Sequence, residues 1–486
     1  MNKAEDCEKV QEDTPVSEPL SVAQKMLLGL AIVPKHLGDL TVKQFGKPTY
    51  NILFGISPGH IGSLFAVMNI WDTINDPIVA KITDNTHTSW GRRRPYIAVG
   101  GALMGLMLPA LFMLSPDWGT WTKLGYLLGM FMLFNVFHSF YSIAFGAMVV
   151  EFTSDYKEKT KIRGYTSVFG YLKQTFTPWL FPMALWLNAI IGGEIWGARI
   201  VVIILGIMIF SISILVGVKL KDNTFDPMQT KSEHACAHKR IDFFPSLRSF
   251  SKDKTFWKFI TLNLCLQVPF LLVSFLNQYI IMFYVFKGDL LKGASVEAVS
   301  MNLGIFTGIL SIVIISKYFA DMDKKKLLGI LLAVTMLLAS SKWFLLNPDL
   351  PYLCLIIYIL WAPASAAFHM VFQSMQTDFC EYDEWKTGEK RVAIFLAVTG
   401  WITKSGATIG ILMSGWLLVL SGFDKDLGGD QSVTTFLQMR VFIVVIPTLG
   451  LLVGLITLYF YPLNKKCMLE IKKDLDQRHA DTINQS

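Results

Sequence analysis

The feature that most restricts this chain is a recurring block of about 20 to 28 apolar residues, separated by short charged connections. A helix of that length rises about 30 Å, the thickness of a bilayer's hydrocarbon core. Hydrocarbon offers no partner to backbone N–H and C=O groups, so such runs must be helical or belong to a closed barrel, and blocks this long are helices. Charged residues make up 17% of the chain, against about 25% in ordinary soluble domains. The mean hydropathy of +0.45 points the same way. The expectation is an all-α membrane protein with twelve spans: 25–54, 59–83, 95–115, 123–150, 164–191, 199–219, 257–286, 297–319, 327–346, 352–375, 392–421 and 437–462.

The connections set the organisation. If the N-terminus is cytoplasmic, about 31 of the 44 lysines and arginines fall in cytoplasmic segments and about 7 in outer loops, so the expectation is a multi-pass protein of the inner (cytoplasmic) cell membrane with both termini in the cytoplasm. The formal net charge of +7 is then a consequence of topology, and its dispersal over many short loops argues against nucleic-acid binding. Residues 1–24 form a tail without the basic and apolar regions of a signal peptide. Two six-helix halves, 25–219 and 257–462, flank a hydrophilic linker at 220–256, and 463–486 form a second tail. An internal echo supports the division: Asp84 begins a charged loop after the second span, and Ala320 to Lys326 follow the eighth. The six cysteines are scattered and include no C-x-x-C pair, so neither a disulfide framework nor a zinc site is expected. The chain contains no P-loop and no nucleophile–base constellation. An enzyme is not expected, nor is ATP as the energy source.

The stretch Asn69 to Tyr96, NIWDTINDPIVAKITDNTHTSWGRRRPY, concentrates the unusual chemistry. Asp72 and Asp76 are one helical turn apart, about 6 Å along the axis, inside an apolar span. Each carboxylate there costs roughly 2.5 to 3.5 kcal/mol on insertion scales, so both need partners. A hard cation such as sodium is one solution, because it accepts several oxygen ligands. Structural pairing with Lys404 or Lys43 is the alternative. On the first span Lys35, Asp39 and Lys43 recur every four residues, a ladder that either neutralises itself or lines a cavity.

The strings IWDTINDPIVAKITDNTHTSWGRRRPYI and DFCEYDEWKTGEKR, the latter running from Asp378 to Arg391, resemble the glycoside-pentoside-hexuronide:cation symporter family over nearly the whole chain. The resemblance implies a major facilitator fold with a site between parallel six-helix halves, and cation-coupled uptake of a sugar, glycoside or small oligosaccharide. It implies a cation site of Asp72, Asp76, Asn75, Ser139 and Ser142, with sodium possible at the two aspartates. Lys404 then sits near that site, and Asp84, Arg92, Arg93 and Arg94 form a cytoplasmic gate. No further cofactor is implied. A monomer is expected.

Several positions depart from the family pattern. Ser142 stands where the family has a third carboxylate, which leaves a proton as well as sodium open as coupling ion. His36 replaces a sugar-binding aspartate, Thr166 a sugar-binding arginine, Gly146 and His369 two pocket tryptophans. Lys173 lies two turns beyond Thr166 on the same face, a relocated cation. Lys35, His36, Tyr141, Lys173, Trp361, His369, Trp401 and Lys404 are therefore the expected substrate-binding residues. Their charge implies an acidic sugar, a uronate or a sulfate ester. A transporter of amphipathic lipids and a non-transporting sugar sensor on the same scaffold are the alternatives.

Overall fold

A computed structural model describes residues 21–86, 88–152, 156–193, 195–220, 249–319, 322–389 and 391–485. Most of the linker, most of the N-terminal tail, and Ala320 and Asp321 of the internal echo lie outside these. The described residues are helical throughout, apart from turns and short loops.

The first span is assembled from α1 (Val22–Leu30), α2 (Ile32–Leu40) and α3 (Gly46–Pro48), with π-helical segments at Thr41–Phe45 and Thr49–Leu53. Its π segments flank Pro48, which has no N–H to donate. Thr49, at the start of the second segment, turns its hydroxyl onto Phe45 O at the end of the first, at 2.7 Å. The next five spans are α4 (Pro58–Asp84), a π turn at Tyr96–Gly100 leading into α5 (Gly101–Ala110), α6 (Thr120–Glu151), α7 (Tyr156–Phe176) continued by α8 (Leu180–Ile191), and α9 (Trp196–Lys219). The second half repeats the scheme. It comprises α10 (Lys254–Leu272) with α11 (Ser274–Tyr279) and a π segment at Ile280–Val285, α12 (Leu290–Tyr318), α13 (Lys324–Leu345), α14 (Cys354–Thr387), α15 (Val392–Leu420) and α16 (Val433–Tyr459).

Twelve crossings result, and the hydrophobic first span is continuous despite its charges. Several helices outrun the apolar stretch that marks them in sequence: the fifth span starts at Tyr156 and the tenth ends at Thr387. Hydropathy registers the membrane portion, whereas caps set the helix ends. Asp253, Asp289, Asp323 and Ser432 each accept a bond from a first-turn N–H. Residues 463–486, expected as a tail, contain a further helix, α17 (Lys465–Gln485), which lies against α14 and buries Ile471 and Leu475.

The halves meet along two seams, α4 against α15, and α12 against α8 with the 3-10 turn that precedes it. Close approach is confined to one end of the first seam. A Cβ at Gly62 would come within 2.9 Å of Leu412 O, and one at Gly415 would overlap Pro58 O. Lys47 donates to Ser274 Oγ at 3.1 Å and Tyr279 to Asn51 Oδ1 at 2.7 Å across the halves near that end. Toward the other end of α15, Trp401, Leu396 and Val392 are exposed.

Candidate functional site

α4 brings its two intramembrane carboxylates to the seam. Lys404 on α15 reaches both: its Nζ lies 3.1 Å from Asp72 Oδ2 and 3.2 Å from Asp76 Oδ2. Ser139 on α6 donates to the other oxygen of Asp76 at 2.8 Å. The three charged side chains are only partly buried. Asn75 points elsewhere. It is buried and donates to Asn135 O at 3.4 Å, while Asn135 donates to Met68 O, so this pair fastens α4 to α6. Ser142 is one turn beyond Ser139 on α6 and partly buried.

Of the expected pairings, Lys404 with the aspartates is present, while Lys43 pairs instead with Asp39 at 2.7 Å. The ladder on the first span is thus half closed. Lys35 forms no ion pair with Asp39 among the described residues, but its carbonyl bonds the ring of His138 at 3.0 Å. His36 lies within electrostatic reach of Lys35, Asp39, His138 and Lys173, and Lys35 within reach of Asp76. One polar wall of the first half therefore runs from the first span through α6 to α7.

Two connected chambers follow from this wall into the second half. One, about 520 Å³, is lined by Lys173, Gln174, Tyr171, Trp361 and Ser365 among others. A neighbour of about 330 Å³ shares Gln44, Met301 and Tyr358 with it and adds Lys43, Lys47 and Glu297. Both are of a size that holds small organic ligands. Trp361 and Lys173, expected to bind substrate, share the larger chamber. Tyr141 does not line it. Its ring is fully buried between helices of the first half and its hydroxyl donates to Ala31 O at 2.7 Å, so it cannot stack on a ligand. Trp401 is 63% exposed, one turn from Lys404. His369 is exposed on α14 with its ring edge-on to Phe368 and lines neither chamber.

Among the described residues, the expected gate residues brace one half. Asp84 Oδ1 accepts from Arg93 at 2.7 Å and Arg92 at 3.2 Å, whereas Arg94 ignores Asp84 and donates to Gly217 O and Val218 O at the end of α9. In the second-half motif, Lys324 pairs with Asp378 at 2.6 Å and Arg391 forms a buried two-bonded pair with Asp383. Sequence reasoning missed Lys47, Glu297 and Lys342. Glu297 and Lys342 fall near the ends of apolar runs, where charged residues are ordinarily interfacial, although an apolar neighbourhood on both sides of Lys342 was a usable signal.

A family model described as MFS/sugar transport protein matches residues 28–465. The chain belongs to that family. It is a multi-pass membrane transporter of the major facilitator fold, and not an enzyme. Among curated relatives it is 24% identical to the isoprimeverose transporter of Lactiplantibacillus pentosus, covering 96% of each chain. It is 21% identical to the inner membrane symporter YicJ of Escherichia coli, covering 95% of this chain and 96% of that one. Solved structures share the fold at low identity. A bacterial homologue of the lysosomal transporter Spinster, inward-facing and unoccupied, superposes with a TM-score of 0.67 at 12% identity, over 94% of this chain and 99% of that one. A D-xylose–proton symporter does so with a TM-score of 0.53 at 12% identity, over 89% and 96%.

Proposed function

We propose that this transporter carries a sugar or glycoside into the cell together with a monovalent cation, held at Asp72 and Asp76 with Ser139 as a third oxygen donor. The observation that carries the reading is the reach of Lys404 from the second half onto both carboxylates of the first. Two carboxylates and one ammonium leave a net charge of −1 at membrane depth. One sodium ion or one proton brings it to zero, the inexpensive state in a low-dielectric surrounding. The oxygens of Asp72, Asp76 and Ser139 suit sodium, a hard ion that takes oxygen ligands in flexible geometry. Protonation of either carboxylate gives the same neutrality.

The same contact supplies a coupling mechanism. Lys404 competes with the cation for the carboxylate oxygens. Cation entry loosens the link across the α4–α15 seam, and the halves rock about the chambers between them. The distribution of lysines and arginines assigns the Asp84–Arg93 end to the cytoplasm. The close glycine contacts at Pro58 and Gly415 then form an outer seal, and the cavity faces inward. Isoprimeverose and other sugars named for the relatives support a carbohydrate substrate, as do the chamber sizes and the indole of Trp361.

The test is reconstitution in proteoliposomes with sodium and proton gradients imposed separately. Sugar-dependent movement of one of the two ions is the expected result, and Asp72→Asn abolishes it while the protein still inserts. Full coupling in Asp72→Asn overturns the cation site, and downhill sugar flux with neither ion moving overturns symport.

A further inference from the structure

Several lysines placed between helices have an acid beside them. Lys404 has Asp72 and Asp76, Lys43 has Asp39, Lys25 has Glu158, and Lys47 shares its chamber with Glu297. Lys342 differs. It lies in the last turn of α13, 6% exposed, and no carboxylate is within 4 Å of it among the described residues. Its Nζ donates to Asn277 Oδ1 at 2.9 Å and stands 5.5 Å from the centre of the Trp361 ring. Next to the ammonium is a cavity of about 110 Å³. Phe270, Tyr358 and Trp361 form part of its wall, and Trp361 and Tyr358 also line the 520 Å³ chamber.

A structural role explains part of this. A cation in the last turn of a helix is favoured by the helix dipole, and the Asn277 bond fixes its position. Lysines at helix ends normally carry the ammonium outward to water, however, and this one remains enclosed with space on one side and an indole face on the other. A buried charge needs a counter-charge or a generous set of hydrogen bonds, and one amide oxygen is a thin substitute for either.

We propose that the Lys342 cavity receives an anionic substituent of the transported sugar, a uronate carboxylate or a sulfate ester, while the sugar ring lies against Trp361 in the larger chamber. The assignment rests on the sugar-symport reading and names the substrate class within it. It also moves the basis for an acidic substrate. Lys404, one of the residues on which the sequence placed that expectation, is compensated by Asp72 and Asp76, whereas Lys342, on the same half, has no such acid among the described residues. A neutral sugar leaves Lys342 uncompensated, so the charge acts as a filter. Glu297 and Lys47 line the adjoining chamber with opposite signs and do not change that balance.

The test is binding to the purified full-length protein, comparing methyl β-glucuronide, methyl β-galacturonide and galactose 6-sulfate with methyl β-glucoside, methyl β-galactoside and galactose. In the wild type at least one acidic sugar should bind about tenfold or more tighter than its neutral counterpart, the scale of one charged hydrogen bond. Lys342→Met should collapse that ratio toward one. Asn277→Asp should do the same by supplying an internal carboxylate to Lys342, and it keeps the experiment decisive if the first variant folds poorly. An acidic preference that survives both variants, or a wild type that prefers neutral sugars, overturns the assignment. If neutral sugars drive ion movement in proteoliposomes while acidic sugars do not, only the Lys342 assignment falls. If no sugar binds and none moves with an ion, the symport reading falls and takes this one with it.

Discussion

The two halves share a scaffold but divide the chemistry. At the arginine-rich end Arg94 holds the last carbonyls of the sixth span, Gly217 O at 3.0 Å and Val218 O at 2.6 Å. Lys325 holds those of the twelfth, Tyr459 O at 3.1 Å and Tyr461 O at 2.5 Å. At the opposite end Arg199 donates to Leu114 O, just beyond α5 of the third span, and Arg440 to Trp343 O in the last turn of the ninth. The first and seventh spans both finish in a π segment. These devices are duplicated because the need is duplicated: a helix end leaves carbonyls unpaired, and a bilayer protein must satisfy them from within. The cavity charges are not duplicated. Most are on the first half, from Lys35 to Lys173 with Asp72 and Asp76, while the second contributes Lys404, Glu297 and Lys342. A site that senses relative movement of two bodies is built from unequal halves.

The comparison is most easily broken at the carboxylates. Asp72→Asn should abolish ion-driven accumulation, whereas Glu297→Gln in the second half should leave coupling in place, both read by ion flux in vesicles. Loss of coupling in the second variant would show that both halves carry the cation chemistry. Next come the braces. Arg391→Gln leaves Asp383 buried and unpaired and should cost about 3 to 5 kcal/mol. Arg93→Gln should cost less, because Asp84 is half exposed and keeps Arg92. Thermal unfolding in detergent separates the two.

Smaller still, Arg94→Gln and Lys325→Gln should each lose about 1.5 to 3 kcal/mol, the scale of charge-assisted hydrogen bonds. Similar losses would mark the two as equivalent clamps, and a large disparity would break the symmetry. The mildest effect concerns Asp253, which caps α10 and pairs with Lys386 at 2.7 Å. Burial resists its ionisation, but the bonds from Lys386 and the Thr255 N–H prevail and hold the carboxyl below its ordinary range. That contribution is complete above the unfolded value near pH 4 and disappears as pH falls through the lower folded value. Asp253→Asn should therefore flatten the acid side of the stability profile.

Particular residues show how far the sequence could be read. The spans were legible because apolar length is a one-dimensional property. Asp72 and Asp76 were legible because ionised groups in hydrocarbon demand a partner, and Lys404 was one of two candidates. Lys43 was the other, and the local i to i+4 spacing that makes it Asp39's partner was also visible. Tyr141 was misplaced because it lies to one side of the polar stripe that Asn135, Ser139 and Ser142 make along α6, and no local pattern shows that the first span covers it. Asn75, expected at the cation site, turns to α6 for the same reason: its neighbours along the chain do not reveal which helix lies beside it.

Apolar length and intramembrane charge, read along the chain, were enough for the membrane class, the twelve crossings, the charged connections and the need to compensate Asp72 and Asp76. Those follow from transfer energies that act on each segment independently. The packed helices were needed to see that Lys404 bridges the halves, that Asp84 holds Arg92 and Arg93 while Arg94 holds the end of α9, and that Lys342 faces a cavity. Each of these depends on which helix faces come together, a matter of packing among distant segments that no local pattern encodes.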